Sequence, residues 1–138
     1  MTGEAVDHSL RAEEVSPAQK TVVSTPALKG CRSFYTAMDI PVAERLAKAF
    51  EAPYSGISVR VERSGSERIY QRIEQERGSN IFAVDVVNSA DAAHFIVWKR
   101  NDWLAAYLPE EAARHFPAAY RDPDAMHLTT RIWRSSLG

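Results

Sequence analysis

The sequence predicts an α/β domain, a three-layer open mixed sheet built on a βαβαβ succession. Three observations predict it. Ile57, Val59 and Val61 alternate with Ser58, Arg60 and Glu62, the two-residue period of a strand with one apolar face. Between Ser66 and Gly78, Ile69, Tyr70 and Ile73 share one side while Arg68, Arg72, Glu74, Gln75 and Glu76 cover the rest, as in an amphipathic helix. Ile81 to Val87 is then a short, almost unbroken apolar run, expected of a strand buried on both faces. In that order the three make one βαβ unit, whose parallel strands end at the same edge of the sheet.

Taken from the start, residues 1–30 carry Glu4, Asp7, Glu13, Glu14, Pro17 and Pro26 with no period of 2 or 3.6, so they read as a flexible arm. They also lack the basic start and apolar core of a secretory signal. Residues 31–138 read as the folded unit. Arg32 to Ala37 has strand composition, with Phe34 and Tyr35 as its bulky members. Pro41 suits the first turn of a helix whose buried stripe reads as Val42, Leu46, Ala49 and Phe50. Pro53-Tyr54-Ser55-Gly56 returns the chain to the strand at Ile57. After the βαβ unit, a helix is expected over Ala90–Lys99 with Ala93, Phe95, Ile96 and Val97 as its apolar members. A short helix follows from Pro109 to about His115, then a turn at Asp122-Pro123-Asp124 and a strand from Leu128 to Trp133.

Composition excludes more than it assigns. The net charge is −1, which supplies no global field for nucleic acid or an anionic membrane, so no nucleic-acid partner is expected. Apolar runs of a few residues are far short of the ~20 that span a bilayer, so the chain is not membrane-embedded. Cys31 is the single cysteine, which rules out an internal disulfide and reads as an inert structural thiol. There is no GxSxG, no P-loop and no defensible Ser/His/Asp order, so no enzyme is read and no cofactor is expected.

The chemistry that does stand out lies in the turns. Ser64-Gly65-Ser66 follows one strand and Asn88-Ser89 the next, and both lead into helix N-termini. Ser64 with Glu67 has the form of a capping box. The βαβ geometry sets the two turns side by side, where unpaired amides and the positive end of a helix dipole favour an anion or a polar oxygen. In open α/β sheets, ligands bind outside the carboxyl ends of the strands. Two readings of Ser64-Gly65-Ser66 stand: a turn that only caps a helix, or part of a ligand site. Arg63 is a solvent-facing strand end or an anion contact, and Asp85, in an apolar strand where burial is expected, reads as hydrogen-bonding neighbouring backbone or a helix N-terminus rather than doing acid–base work. His94, His115 and His127 lack the spacing of a helical metal site and read as surface or capping residues. Trp98, Trp103 and Trp133 read as core or edge aromatics.

In sequence order, Phe34-Tyr35-Thr36, Ala47-Lys48-Ala49-Phe50-Glu51, Gly56-Ile57-Ser58-Val59, Arg63-Ser64-Gly65-Ser66 and Val84-Asp85-Val86-Val87 resemble the first lobe of an extracellular solute-binding protein of an ABC importer. Leu104-Ala105-Ala106-Tyr107 before Pro109, and Tyr120-Arg121-Asp122-Pro123, extend the match. The group is the iron/thiamine/phosphosugar-like type 2 periplasmic binding proteins. The resemblance implies that Tyr35, Thr36, Ser64, Gly65, Ser66, Asn88 and Ser89 contact a small polar or anionic solute. It further implies an ABC permease as partner and a periplasmic location. Members also have a signal peptide, a second lobe and a return crossing, none of which is read in these residues. The chain thus reads as truncated, and as cytoplasmic if expressed as given. The tyrosines with which ferric-binding members hold iron belong to the second lobe, so no metal site is implied. Two alternatives stay open, an enzyme or sensor half-domain completed by another subunit and a vestigial fragment without a ligand. A homo-oligomer is a further possibility for covering apolar surface left by the missing half.

Overall fold

A computed structural model describes residues 30–132. Three parallel strands, β1 (Gly30–Thr36), β2 (Ile57–Arg63) and β3 (Val86–Asn88), lie in the order β2-β1-β3. The register sets Phe34 beside Val61 on one flank and beside Val86 on the other. β1 leads to β2 through helix α1 (Ile40–Glu51), and β2 to β3 through helix α2 (Ser66–Gly78). The first crossover steps from the central β1 to β2 and the second runs back the opposite way past β1 to β3, and right-handed connections then put α1 and α2 on opposite faces. The βαβαβ succession is therefore as the sequence implies, and all three described strands run parallel. Helices α3 (Ala92–Arg100) and α4 (Glu110–His115) and a single 3-10 turn at Ala118–Tyr120 complete the order.

The main core lies between the sheet and α2. Tyr35, Ile69, Ile73 and Trp98 are buried together, with Val84, Val87, Phe95, Trp103 and Leu104 packed around them. Trp98 is fully buried in α3, with the Phe95 ring edge-on to it at 5.1 Å. Phe34, one residue before Tyr35 and so on the other face, is also buried.

That second face corrects the expected stripe of α1. Ala43 and Ala47 are the buried residues, whereas Leu46 and Phe50 are 52% and 45% exposed. Two alanines one turn apart let the helix backbone lie close to the strands, which rotates the larger side chains to the flank. There Phe50 packs against Tyr54 with the rings tilted and their centroids 4.8 Å apart.

The expected strand Ile81–Val87 is also revised. Only Val86–Asn88 pairs, and Ile81, Phe82 and Val86 are 51%, 66% and 56% exposed. β3 has β1 as its single strand neighbour, so no strand among the described residues pairs with its outer edge. Phe82 instead lies under the Arg77 guanidinium, 4.7 Å from the ring centroid. Asp85 is exposed rather than buried, and of the roles expected its Oδ2 takes the backbone one, accepting from the Ser33 amide at 2.8 Å.

Toward the C-terminus, the strand expected from Leu128 is a single antiparallel bridge between Arg121 and Leu128, and Trp133 lies outside the described residues. The segment is held by charge rather than by a sheet. Lys99 Nζ reaches Asp122 Oδ1 at 2.7 Å and also pairs with Asp124. Most of the arm assigned to residues 1–30 likewise falls outside the described part. Only Gly30 is seen, as the first residue of β1.

Candidate functional site

The carboxyl ends of all three strands meet at one edge, and hydrogen bonds lock their turns together. The Ser64 amide donates to Thr36 O at 3.1 Å, and the Ala37 amide to Asn88 O at 3.1 Å. Thr36 Oγ1 donates to Asn88 Oδ1 at 3.2 Å and accepts from the Met38 amide at 3.0 Å. The Ala90 amide donates to Ser66 Oγ at 3.0 Å. The turns after β1, β2 and β3 thus form one connected polar network, and the juxtaposition expected of Ser64-Gly65-Ser66 and Asn88-Ser89 is present.

The individual side chains are used differently from what their positions suggest. Thr36 is fully buried and braces its neighbours. Tyr35 is 1% exposed, and its hydroxyl donates to Glu76 Oε1 at 2.9 Å. Burial first, and then the bond to Glu76, push its phenol up to about 12, so it remains a protonated donor committed to the core. The capping box is corrected: α2 begins at Ser66, its N-cap is Gly65, and no side chain caps it. Because the cap position falls on a residue without a side chain, Ser66 is free to bind the β3 turn instead. At this edge the half-buried Ser64 hydroxyl and Asn88 side-chain amide NH2 have no partner among the described residues.

Sequence reasoning missed His94 as a member of this edge. Although expected at the surface or in a capping role, it is 7% exposed. Its Nδ1 lies 3.0 Å from Ser89 Oγ, and its Nε2 faces Glu67 Oε2 at 3.5 Å and Asp91 Oδ2 at 3.8 Å. Tyr70 stacks on the ring with centroids 4.6 Å apart. The signal was present: Asp91 accepts from the Ala93 amide at 2.8 Å as the N-cap of α3, and a histidine three residues after such a cap turns back over the first turn. That position starts α3 at Ala92, two residues later than expected, and swings His94 and Trp98 inward in place of Ile96, which is 49% exposed. No three His, Cys, Asp or Glu side chains lie together in a metal-holding arrangement among the described residues.

On the β2 side of Ser64 lies a recess of about 270 Å³ lined by Arg63, Arg68, Arg72 and Glu62, with Tyr35 and Ile69 beneath. Arg72 is held there by Glu62 and by Glu76, the latter at 2.8 Å, with its guanidinium carbon 4.2 Å from the centroid of the Tyr35 ring.

No family model matches the sequence, and no curated protein matches it. Solved structures do. Iron-bound HitA from Pseudomonas aeruginosa superposes with a TM-score of 0.59 at 20% identity over 69% of this chain. The Trichodesmium protein IdiA (FutA), in complex with iron and citrate, gives 0.56 at 21% identity over 70%. This chain spans 30% of the length of each. The described residues therefore share their fold with part of these iron-carrying proteins, the α/β lobe that the resemblance to solute-binding proteins implies.

Proposed function

We propose that this chain is a solute-binding component of an ABC importer, non-enzymatic, which takes a small polar or anionic solute, or an iron complex, at the strand-end turns. An ABC permease is its partner, and the periplasm its place of action. The observation that carries the reading is the locked edge. Turns from three strands are fixed to one another and leave the Ser64 hydroxyl and the Asn88 amide NH2 as unpaired donors, where open α/β sheets hold ligands. The likeness in fold to HitA and IdiA, whose structures carry iron and iron with citrate, supports it.

Binding proteins of this kind enclose a solute between two lobes, and a single lobe supplies part of the contacts. Weak binding is the expected result for the isolated chain.

The test is a thermal-shift screen against phosphate, sulfate, phosphosugars, thiamine, ferric citrate, polyamines and small carboxylates. A ligand at 100 times its dissociation constant adds about 2.7 kcal/mol, a shift of several degrees at this size. Asn88→Ala should remove the shift produced by the active class. A folded chain that no class stabilises, or a shift that survives Asn88→Ala and Ser64→Ala together, sinks the proposal.

A further inference from the structure

The recess beside Ser64 concentrates positive charge in a chain whose net charge is −1. Three guanidinium groups line it against the one carboxylate of Glu62. They are not equivalent. Arg72 is fixed by Glu62 and Glu76 and by its seat over the Tyr35 ring. Arg63, the last residue of β2, and Arg68, in the first turn of α2, flank Ser64 in sequence, and their side chains have no partner among the described residues. Other arginines nearby are engaged: Arg60 pairs with Glu62 at 3.0 Å and Arg77 donates to Trp103 O at 3.1 Å.

We propose that this recess is an oxyanion site, separate from the Asn88 side of the edge, which takes a phosphate or the phosphoryl group of an organic phosphate. The chemistry selects that class. A tetrahedral dianion offers enough acceptor oxygens for several guanidiniums and the Ser64 hydroxyl at once, and arginine forks match such oxygens in pairs. Its charge balances the two unpaired arginines. The fixed Arg72 gives a pre-organised wall, and Arg63 and Arg68 close on the ion from either side of Ser64. At about 270 Å³ the recess lies below the ~300–1,000 Å³ of pockets that enclose whole drug-sized ligands, which suits an ionic group rather than an entire solute. The inference needs only the recess and stands whether or not the strand-end edge binds a solute.

The experiment titrates inorganic phosphate and glycerol phosphate, with glycerol as the neutral control, into the wild-type chain. It follows the amide signals of residues 64–68 by NMR at constant ionic strength near ~0.15 M, where fields beyond ~8 Å are screened. The variants are Arg63→Gln with Arg68→Gln, which removes no ion pair, and Asn88→Ala. Both phosphates should shift these signals and glycerol should not. The double variant should bind roughly tenfold more weakly for each guanidinium lost. Response to glycerol phosphate alone assigns the site to an organic phosphate, and an equal response to both assigns it to the phosphoryl group itself. No shift in the folded wild type overturns the proposal. So does phosphate binding that survives the double arginine variant, and if that binding is lost in Asn88→Ala it belongs to the strand-end edge.

Discussion

Ser66 Oγ accepts a hydrogen bond from the Ala90 amide at 3.0 Å, which ties the turn after β2 to the turn after β3 across 24 residues of chain. Since Ser66 is the first residue of α2 and caps nothing, Ser66→Ala cuts this tie without touching the start of the helix. The expected loss is about 1 kcal/mol, the net worth of one such bond. Hydrogen exchange at Ala90 should quicken far more than in the strands, and equal protection of Ala90 in the variant would show that the bond does not hold the turns.

Thr36 is the more costly position. Its hydroxyl is fully buried, accepts from the Met38 amide and donates to Asn88. Thr36→Val keeps the shape and leaves that amide without its acceptor, at about 1–3 kcal/mol. Urea denaturation should show a lower midpoint with unchanged slope.

Tyr35 and Glu76 make stability depend on alkaline pH. The folded phenol is pushed up to about 12 from its ordinary 10.0. Its contribution is complete below pH 10 and is lost as pH rises from there through the folded value. Tyr35→Phe should flatten that decline in a denaturation series, leaving the smaller share of Tyr70, which its bond to Glu74 also raises. An unchanged alkaline slope would place the titration elsewhere.

The Asp122 carboxyl is resisted by burial, yet the bonds from Lys99 and the Met126 amide outweigh it and hold the group below its ordinary range. A depressed carboxylate contributes above its unfolded value and is lost as pH falls through the folded one. Acidification below about pH 4, or Asp122→Asn at neutral pH, should therefore release residues 118–128 to limited proteolysis before the sheet unfolds. Simultaneous loss of both would contradict it.

Trp98 fills the centre of the core and is fully buried. Trp98→Ala should destabilise by about 3–5 kcal/mol, measured by denaturant unfolding, and a smaller change would mean that the site collapses around the gap.

The second strand and the two crossover helices were legible because their signals are local: alternation at Ile57–Val61, a polar-sided helix at Ser66–Gly78, a proline near the start of α1. What was not legible depends on neighbours. Whether α1 rests on Leu46 or on Ala47 is decided by how close the sheet lets it come, and Ile81–Val87 reads as a buried strand only if something covers both its faces. At the candidate site, the meeting of Ser64 and Asn88 followed from topology. The inward turn of His94 followed from a cap two residues later than expected, a shift that rotates every side chain of a helix by about 200°.

Glu51 supplies one last consequence. Its Oε1 accepts from the Val59 amide at 2.6 Å, on the side of β2 that faces away from β1, so an outward donor of that strand is already answered by a side chain. The opposite margin, along β3, has no such stopper among the described residues. An added strand, whether from more of the same polypeptide or from another molecule, thus meets an occupied donor at Val59 on the β2 margin and none along β3 among the described residues.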